Sequence, residues 1–176
     1  WIKTSIYCHR GKDLFCRKCS FSFTNYYIFP IDSQGSSSRL FKELRQKRGL
    51  IYSVSSGNNI GKEFGFFYIK TKTEKNKGKD TIRIIRNEIA NLKNKKIDES
   101  ELLRAKNKIL SYRKALYDIP IEGSLKMVED EIIFGNFFRE RKLISRIKKT
   151  NSTDIRIIAN KYFQDSNFST AIIRPK

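Results

Sequence analysis

The sequence predicts an α+β domain in which a layered sheet packs against several helices. Three observations carry that reading. Strand-like runs lie at residues 3–8, 50–56, 63–71 and 168–173. Between the third and the last, residues 81–162 carry apolar side chains mostly at helical spacing. The 176 residues are enough for one core, and an aromatic fraction of 12% beside 39% apolar residues excludes a disordered composition.

Residues 3–8 (KTSIYC) alternate as a strand does. Residues 9–24 are basic and Cys-rich without a period, and 25–31 (NYYIFPI) are apolar but interrupted by Pro30. A small-residue loop, QGSSS, follows. A helix is expected over 39–48, capped by Ser37 or Ser38, with Leu40, Phe41 and Leu44 inward. Gly49 should end it in the left-handed conformation. Two strands come next, joined by the turn-rich SGNNIG. In the second, Phe64, Phe66 and Tyr68 alternate with Phe67 and Ile69, so both faces are expected to be covered. Residues 71–80 read as a charged loop. Ile82, Ile85, Ile89 and Leu92 form the stripe of the next helix. Asp98 with Glu101 reads as a capping box, opening a helix with Leu102, Ala105, Ile109 and Leu116 that Pro120 ends. Leu125, Val128 and Ile132 line another helix, broken at Gly135. A shorter one covers 141–148, and Ser152 or Thr153 caps a last helix with Ile155, Ala159 and Tyr162.

The balance of 37 basic against 18 acidic residues gives +19, which suits nucleic acid, an acidic membrane surface or an acidic partner. Lys is spread along the whole chain among Ile, Asn, Phe and Tyr, the composition A+T-rich coding sequence produces. Solvated surface therefore explains the charge better than a dedicated polyanion site, and nucleic acid is not the expected partner. No run approaches the ~18 apolar residues of a membrane span, and no signal-peptide pattern is visible. Cys8, Cys16 and Cys19 are an odd, clustered set. They argue against a disulfide framework and favour a reducing intracellular compartment, cytoplasm or organelle matrix. The chain opens on Trp1, as a fragment or a processed product would.

His9 is the only histidine. A hydrolytic zinc site of the H-x-x-E-H type needs two His one helical turn apart with a Glu between them, and CHRGKD supplies neither. CHRGKDLFCRKC does hold a C-x-x-C knuckle, but its other two candidate ligands, Cys8 and His9, are adjacent, whereas a structural zinc site has two separated pairs. Nothing arranges a base or an orienting acid around His9 for nucleophilic catalysis, and QGSSSRL lacks the Lys and second Gly of a phosphate loop. No metal site is therefore expected in this chain. Arg45 and Tyr52 remain, aimed across the turn at Gly49 from a helix end and a strand start. On the residues alone, a surface Arg and a half-buried strand Tyr is the simpler reading.

The surrounding residues change that. GSSSRLFKELRQKRGLIYSVSS resembles the signature G-G-x-x-S-R-L-F-x-x-L-R-E-K-x-G-L-x-Y-S-V of the C-terminal-type domain of the insulinase/pitrilysin family of zinc metallopeptidases. IDESELLRAKNKIL is similar to that family's E-L-x-x-A-K helix start, and ISRIKKTNSTDIRIIANKYFQDSNFSTAIIRPK to its closing helix and strand. The match covers residues 35–176. Residues 1–34 are expected to be a divergent or truncated N-terminal portion of the domain, with KTSIYCHRG similar to a family strand and the usual Gly-Gly reduced to Gln34-Gly35.

The resemblance implies one of two similar domains facing each other across a chamber. Zinc is then expected in the partner domain, on H-x-x-E-H, and not here. Arg45 and Tyr52 would contribute to the bound peptide: a guanidinium offers charged donors to a substrate carbonyl, and a Tyr hydroxyl can stabilise an oxyanion. The implied partners are an N-terminal zinc-bearing peptidase domain or homologous subunit, and a peptide substrate, with Tyr52 acting on the transition state. A catalytically silent scaffold subunit and a basic nucleic-acid-binding domain are the alternatives. The last predicts exposed aromatics on a basic face, whereas Phe64, Phe66 and Tyr68 read as core.

Overall fold

The computed structural model describes residues 2–9, 38–60 and 65–173. Among these residues four antiparallel strands form one sheet in the order β2-β3-β1-β4: β1 (Ile2–His9), β2 (Ile51–Ile60), β3 (Gly65–Thr73) and β4 (Phe168–Ile173). The expected strand at 168–173 is there in full. β2 continues through residues expected to turn, because Ser56 to Ile60 pair in register with Ile69 to Gly65. Cross-strand pairing overrides the turn preference of Ser, Gly and Asn there. The expected strand at 3–8 is the inner strand β1, paired with β3 on one side and β4 on the other. The expectations for Cys16, Cys19, Pro30, Ser37, Phe64 and the boundary at 34/35 fall outside the described residues.

Alternation along β3 decides the layering. Phe67, Ile69, Thr71 and Thr73 are buried, whereas Phe66 and Tyr68 are half-buried and Lys70 and Lys72 exposed. Only one face of β3 is covered by helices among the described residues, so the expectation of two covered faces is corrected, and with it the placing of Phe66 and Tyr68 in the core. The covered face packs against α1 (Arg39–Phe41), α2 (Gly78–Asn94) and α6 (Ser152–Tyr162), with Leu40, Leu44, Ile69, Ile85, Leu92, Ile155 and Phe163 almost wholly enclosed. In α2, Ile84 is buried with Ile85, Ile89 and Leu92, and Ile82 only flanks them. Ile155, Ala159 and Tyr162 of α6 are buried as their spacing predicts.

Two caps differ from expectation. Asp98 alone caps α3 (Glu99–Asp118), accepting from the Ser100 and Glu101 amides, while the Glu101 side chain turns elsewhere. The full capping box belongs to Asn151 and Asp154 at the start of α6, not to Ser152 or Thr153. Pro120 sits at the first position of α4 (Pro120–Phe134), where its missing N–H costs nothing. Gly135 ends α4 at φ 65°, and α5 (Arg139–Lys149) follows. On α4 the apolar stripe lies outside: Leu125, Val128 and Ile132 are exposed, and the buried residues of that helix are Gly123 and Asp130.

Candidate functional site

Ser38 begins the segment as an N-cap, its hydroxyl accepting from the Phe41 amide at 3.3 Å. The expected helix is not regular. After one α turn, residues Lys42–Gln46 form a π turn, with the Lys47 amide bonded to the Lys42 carbonyl at 2.9 Å. Gly49, at φ 57°, closes it: its amide reaches the Arg45 carbonyl at 3.1 Å, and the Leu50 amide returns to the Leu44 carbonyl at 2.8 Å. A π turn widens the helix by one residue. Leu44 stays in the core while Arg45 is carried towards the start of β2.

At that start β2 is irregular too. Ile51 pairs with Thr73 and Ser53 with Lys72, so the register shifts by one residue at Tyr52. Such a bulge bends the strand and re-aims a side chain. Tyr52 is 59% exposed, more than the half-buried strand position the sequence suggested. Arg45 and Tyr52 are brought together as expected. An Arg45 Nη1 hydrogen donates to the Tyr52 backbone carbonyl. The guanidinium lies 5.3 Å from the Tyr52 ring centre and 5.6 Å from that of Phe41, within the range of cation–π attraction. Arg48 leads away, 3.9 Å from Glu43, which also pairs with Lys47.

Two contacts hold this corner. Arg39 makes a forked ion pair with Glu101 of α3, at 2.5 and 2.8 Å. The bond to Glu101 raises the pKa of the guanidinium against the opposing effect of burial. The planar fork fixes orientation as well as distance. Behind the bulge, Thr73 Oγ1 donates to the Leu50 carbonyl at 2.6 Å, and the buried Thr81 hydroxyl lies 3.5 Å from it.

The sequence model described as the peptidase M16 inactive domain matches residues 24–109. An uncharacterized zinc protease of Rickettsia felis is 30% identical over 141 residues, covering 80% of this chain and 34% of that protein. Among solved structures, a protease from Helicobacter pylori superposes with a TM-score of 0.85 at 16% identity, over 99% of this chain and 41% of that one. The inactive peptidase domain of a zinc protease from Bordetella parapertussis gives 0.79 at 17%, over 99% and 93%. The chain belongs to the M16 peptidase family, as an inactive-type domain. It spans about a third of the length of the Rickettsia relative.

Among the described residues of this M16 domain, no group of three or more His, Cys, Asp or Glu is placed to hold a metal ion. Cys8 and His9 are successive residues of β1, opposite Phe67 and Phe66. The Arg39–Glu101 clamp was missed in the sequence, because each residue had a local explanation as a helix-start residue. The available signal was that the two family-like blocks carry opposite charges at motif positions, Arg39 in one and Glu101 in the other. On the sheet face beside Tyr52, Ser53, Ser55, Lys70 and Lys72 of the M16 domain are exposed. There Lys70 Nζ lies 4.4 Å from the Tyr68 ring centre. Tyr68 itself folds over Gly57, where a Cβ would fall 2.7 Å from its hydroxyl.

Proposed function

We propose that this domain is the substrate-holding half of a split peptidase site, completed by a zinc-bearing H-x-x-E-H half in the same polypeptide or in a partner subunit. One observation carries the reading. Two backbone irregularities, the π turn at Lys42–Gln46 and the bulge at Tyr52, converge on one Arg–Tyr pair at the sheet edge. Such departures from regular geometry cost stability and accumulate where a side chain must be aimed. In this reading Arg45 steadies Tyr52 and offers its remaining N–H groups to a peptide carbonyl. The Tyr52 hydroxyl donates to that carbonyl oxygen as negative charge develops on it, which a fixed donor stabilises more in the transition state than in the ground state.

The test uses the assembled peptidase. Tyr52→Phe keeps the ring, its stacking with Arg45 and the backbone carbonyl, and removes only the hydroxyl. It is expected to lower kcat on the order of 10²-fold, about 3 kcal/mol, with an unchanged melting temperature. Arg45→Ala should raise KM as well, and Arg48→Ala, directed at Glu43, should do neither. Full activity in Tyr52→Phe, or equal damage from Arg48→Ala and Arg45→Ala, would sink the reading.

A further inference from the structure

The sheet face that begins at Tyr52 has an uneven charge. On β2 its register positions are Ser53, Ser55, Gly57 and Asn59, and opposite them on β3 lie Lys72, Lys70, Tyr68 and Phe66. No carboxylate occupies any of these eight positions. Elsewhere several cations are answered: Lys77 by Glu74 at 3.0 Å, Arg83 by Asp80 at 2.8 Å, Lys126 by Glu129 at 2.8 Å, Lys47 by Glu43. Lys70 and Lys72 are exposed and have no acidic partner among the described residues. The register also sets Lys3 of β1 opposite Lys72. The β2 positions beside the two lysines are serines, short enough to leave the ammonium groups accessible.

We propose that Lys70 and Lys72 are specificity-determining residues that select peptides with acidic side chains at alternate positions. This deepens the proposed function and rests on it. Ser53, the residue after Tyr52, faces Lys72, and Ser55 faces Lys70. Positions two apart on a strand are separated by about 6.8 Å, the same repeat as alternate side chains of an extended peptide. A peptide held at Arg45 and Tyr52 and running over this face therefore presents every second side chain to the lysine row. Acidic side chains meet cations that have no acidic partner among the described residues, and basic ones meet like charge. A nucleic-acid strand is the competing occupant, since Tyr68 and Phe66 continue the row. The face is narrow for it: the register places three lysines on it, at positions 3, 70 and 72, whereas backbone tracking on single strands uses an extended basic groove.

The experiment uses the full-length protein that contains this domain. Fluorescent peptides carrying two Glu at alternate positions, their Gln and Lys counterparts, and an oligothymidylate are titrated by anisotropy at ~20 mM salt. Two exposed charge pairs should favour the Glu over the Gln peptide by roughly 2- to 30-fold, and the preference should fade at higher salt. Lys70→Gln with Lys72→Gln should bring the ratio near one, and Lys70→Glu with Lys72→Glu should favour the Lys peptide. A ratio unchanged in these variants overturns the proposal. So does an oligothymidylate that binds more tightly than every peptide and is lost with the lysines. Arg45→Ala should weaken Glu and Gln peptides alike and leave their ratio intact, whereas Tyr52→Phe, which acts on the transition state, should leave binding unchanged. If Arg45→Ala changes nothing while the ratio still follows the lysines, the split-site reading fails and the charge selection stands. If no peptide binds, both fall.

Discussion

The sheet side and the helical lobe of α3, α4 and α5 bury opposite things. Against the sheet, α1, α2 and α6 enclose hydrocarbon: Leu40, Leu44, Ile85 and Phe163 have almost no exposed surface. The lobe has a small apolar cluster of Ile109, Leu143 and Ile147, and beside it encloses charge. Arg113 pairs with Glu140, and Asp130 lies 3.0 Å from Lys126 and 3.7 Å from Arg139, whose guanidinium sits 3.6 Å from the Phe134 ring centre. Meanwhile Ile121, Leu125, Val128 and Ile132 of α4 are 68%, 60%, 56% and 67% exposed. Helix α4 thus turns Lys126 and Asp130 inward and its apolar stripe outward. An apolar stripe reports that a helix has two faces, and the neighbours decide which of them is covered.

If that contrast is sound, truncation should separate the two regions by the largest margin. Ile85→Ala and Phe163→Ala remove fully enclosed side chains and should each cost about 3–5 kcal/mol in urea unfolding. Leu125→Ala, equally apolar in composition, should stay within about 0.5 kcal/mol. A large loss at Leu125 would mean that the outer face of α4 is covered.

The buried charges give the next effect. Burial pushes the Glu140 carboxyl up and the Arg113 and Arg139 guanidiniums down, so desolvation outweighs the attraction of their partners. The second Glu140 oxygen and the Tyr117 hydroxyl are enclosed without a hydrogen-bond partner among the described residues. Arg113→Met leaves Glu140 buried and unanswered and should cost about 3 kcal/mol near neutral pH. Replacing both, as Arg113→Met with Glu140→Leu, should recover most of that loss, which no truncation pair in the sheet core would do. The pH dependence has a definite sign. A carboxyl whose folded-state pKa is raised contributes stability that is fully present below its unfolded value and lost as pH rises through the folded value. Melting temperatures from pH 4 to 7 should therefore show a falling contribution that Glu140→Gln flattens. A steeper fall in that variant would show the carboxylate to be favoured by the fold.

The smallest effect should ignore the contrast altogether. Gly49 and Gly135 both have positive φ, and a Cβ at either would meet no atom within 4 Å. Gly49→Ala beside the site and Gly135→Ala in the lobe should each cost about 1 kcal/mol by thermal unfolding, since the strain is in the backbone itself. A marked difference between them would reveal packing that their surroundings do not show.

Local chemistry was legible in the residues. The left-handed Gly49, the Ser38 cap, the Pro120 break, the strand at 168–173 and the burial of Leu40, Leu44, Ile155 and Ala159 each follow from a propensity or a period within a few positions. Arg45 and Tyr52 were legible as a pair through the motif around them, and through the short span across Gly49 that puts them within reach. The π turn and the bulge were not, because both are accommodations to distant neighbours: Leu44 held in the core, Thr73 bonded to Leu50, Arg39 clamped by Glu101 sixty-two residues on.

The sequence by itself determined which residues favour helix, strand and turn, where most of those elements stop, and that an Arg and a Tyr stand on either side of one glycine. Only the tertiary structure decided which face of β3 and of α4 is covered, which cap closes, and that the Arg45 guanidinium lies against the Tyr52 ring. Propensity and periodicity act over a few residues through backbone sterics, whereas coverage and aim depend on surfaces and charges brought together from far along the chain, where desolvation and packing are settled jointly.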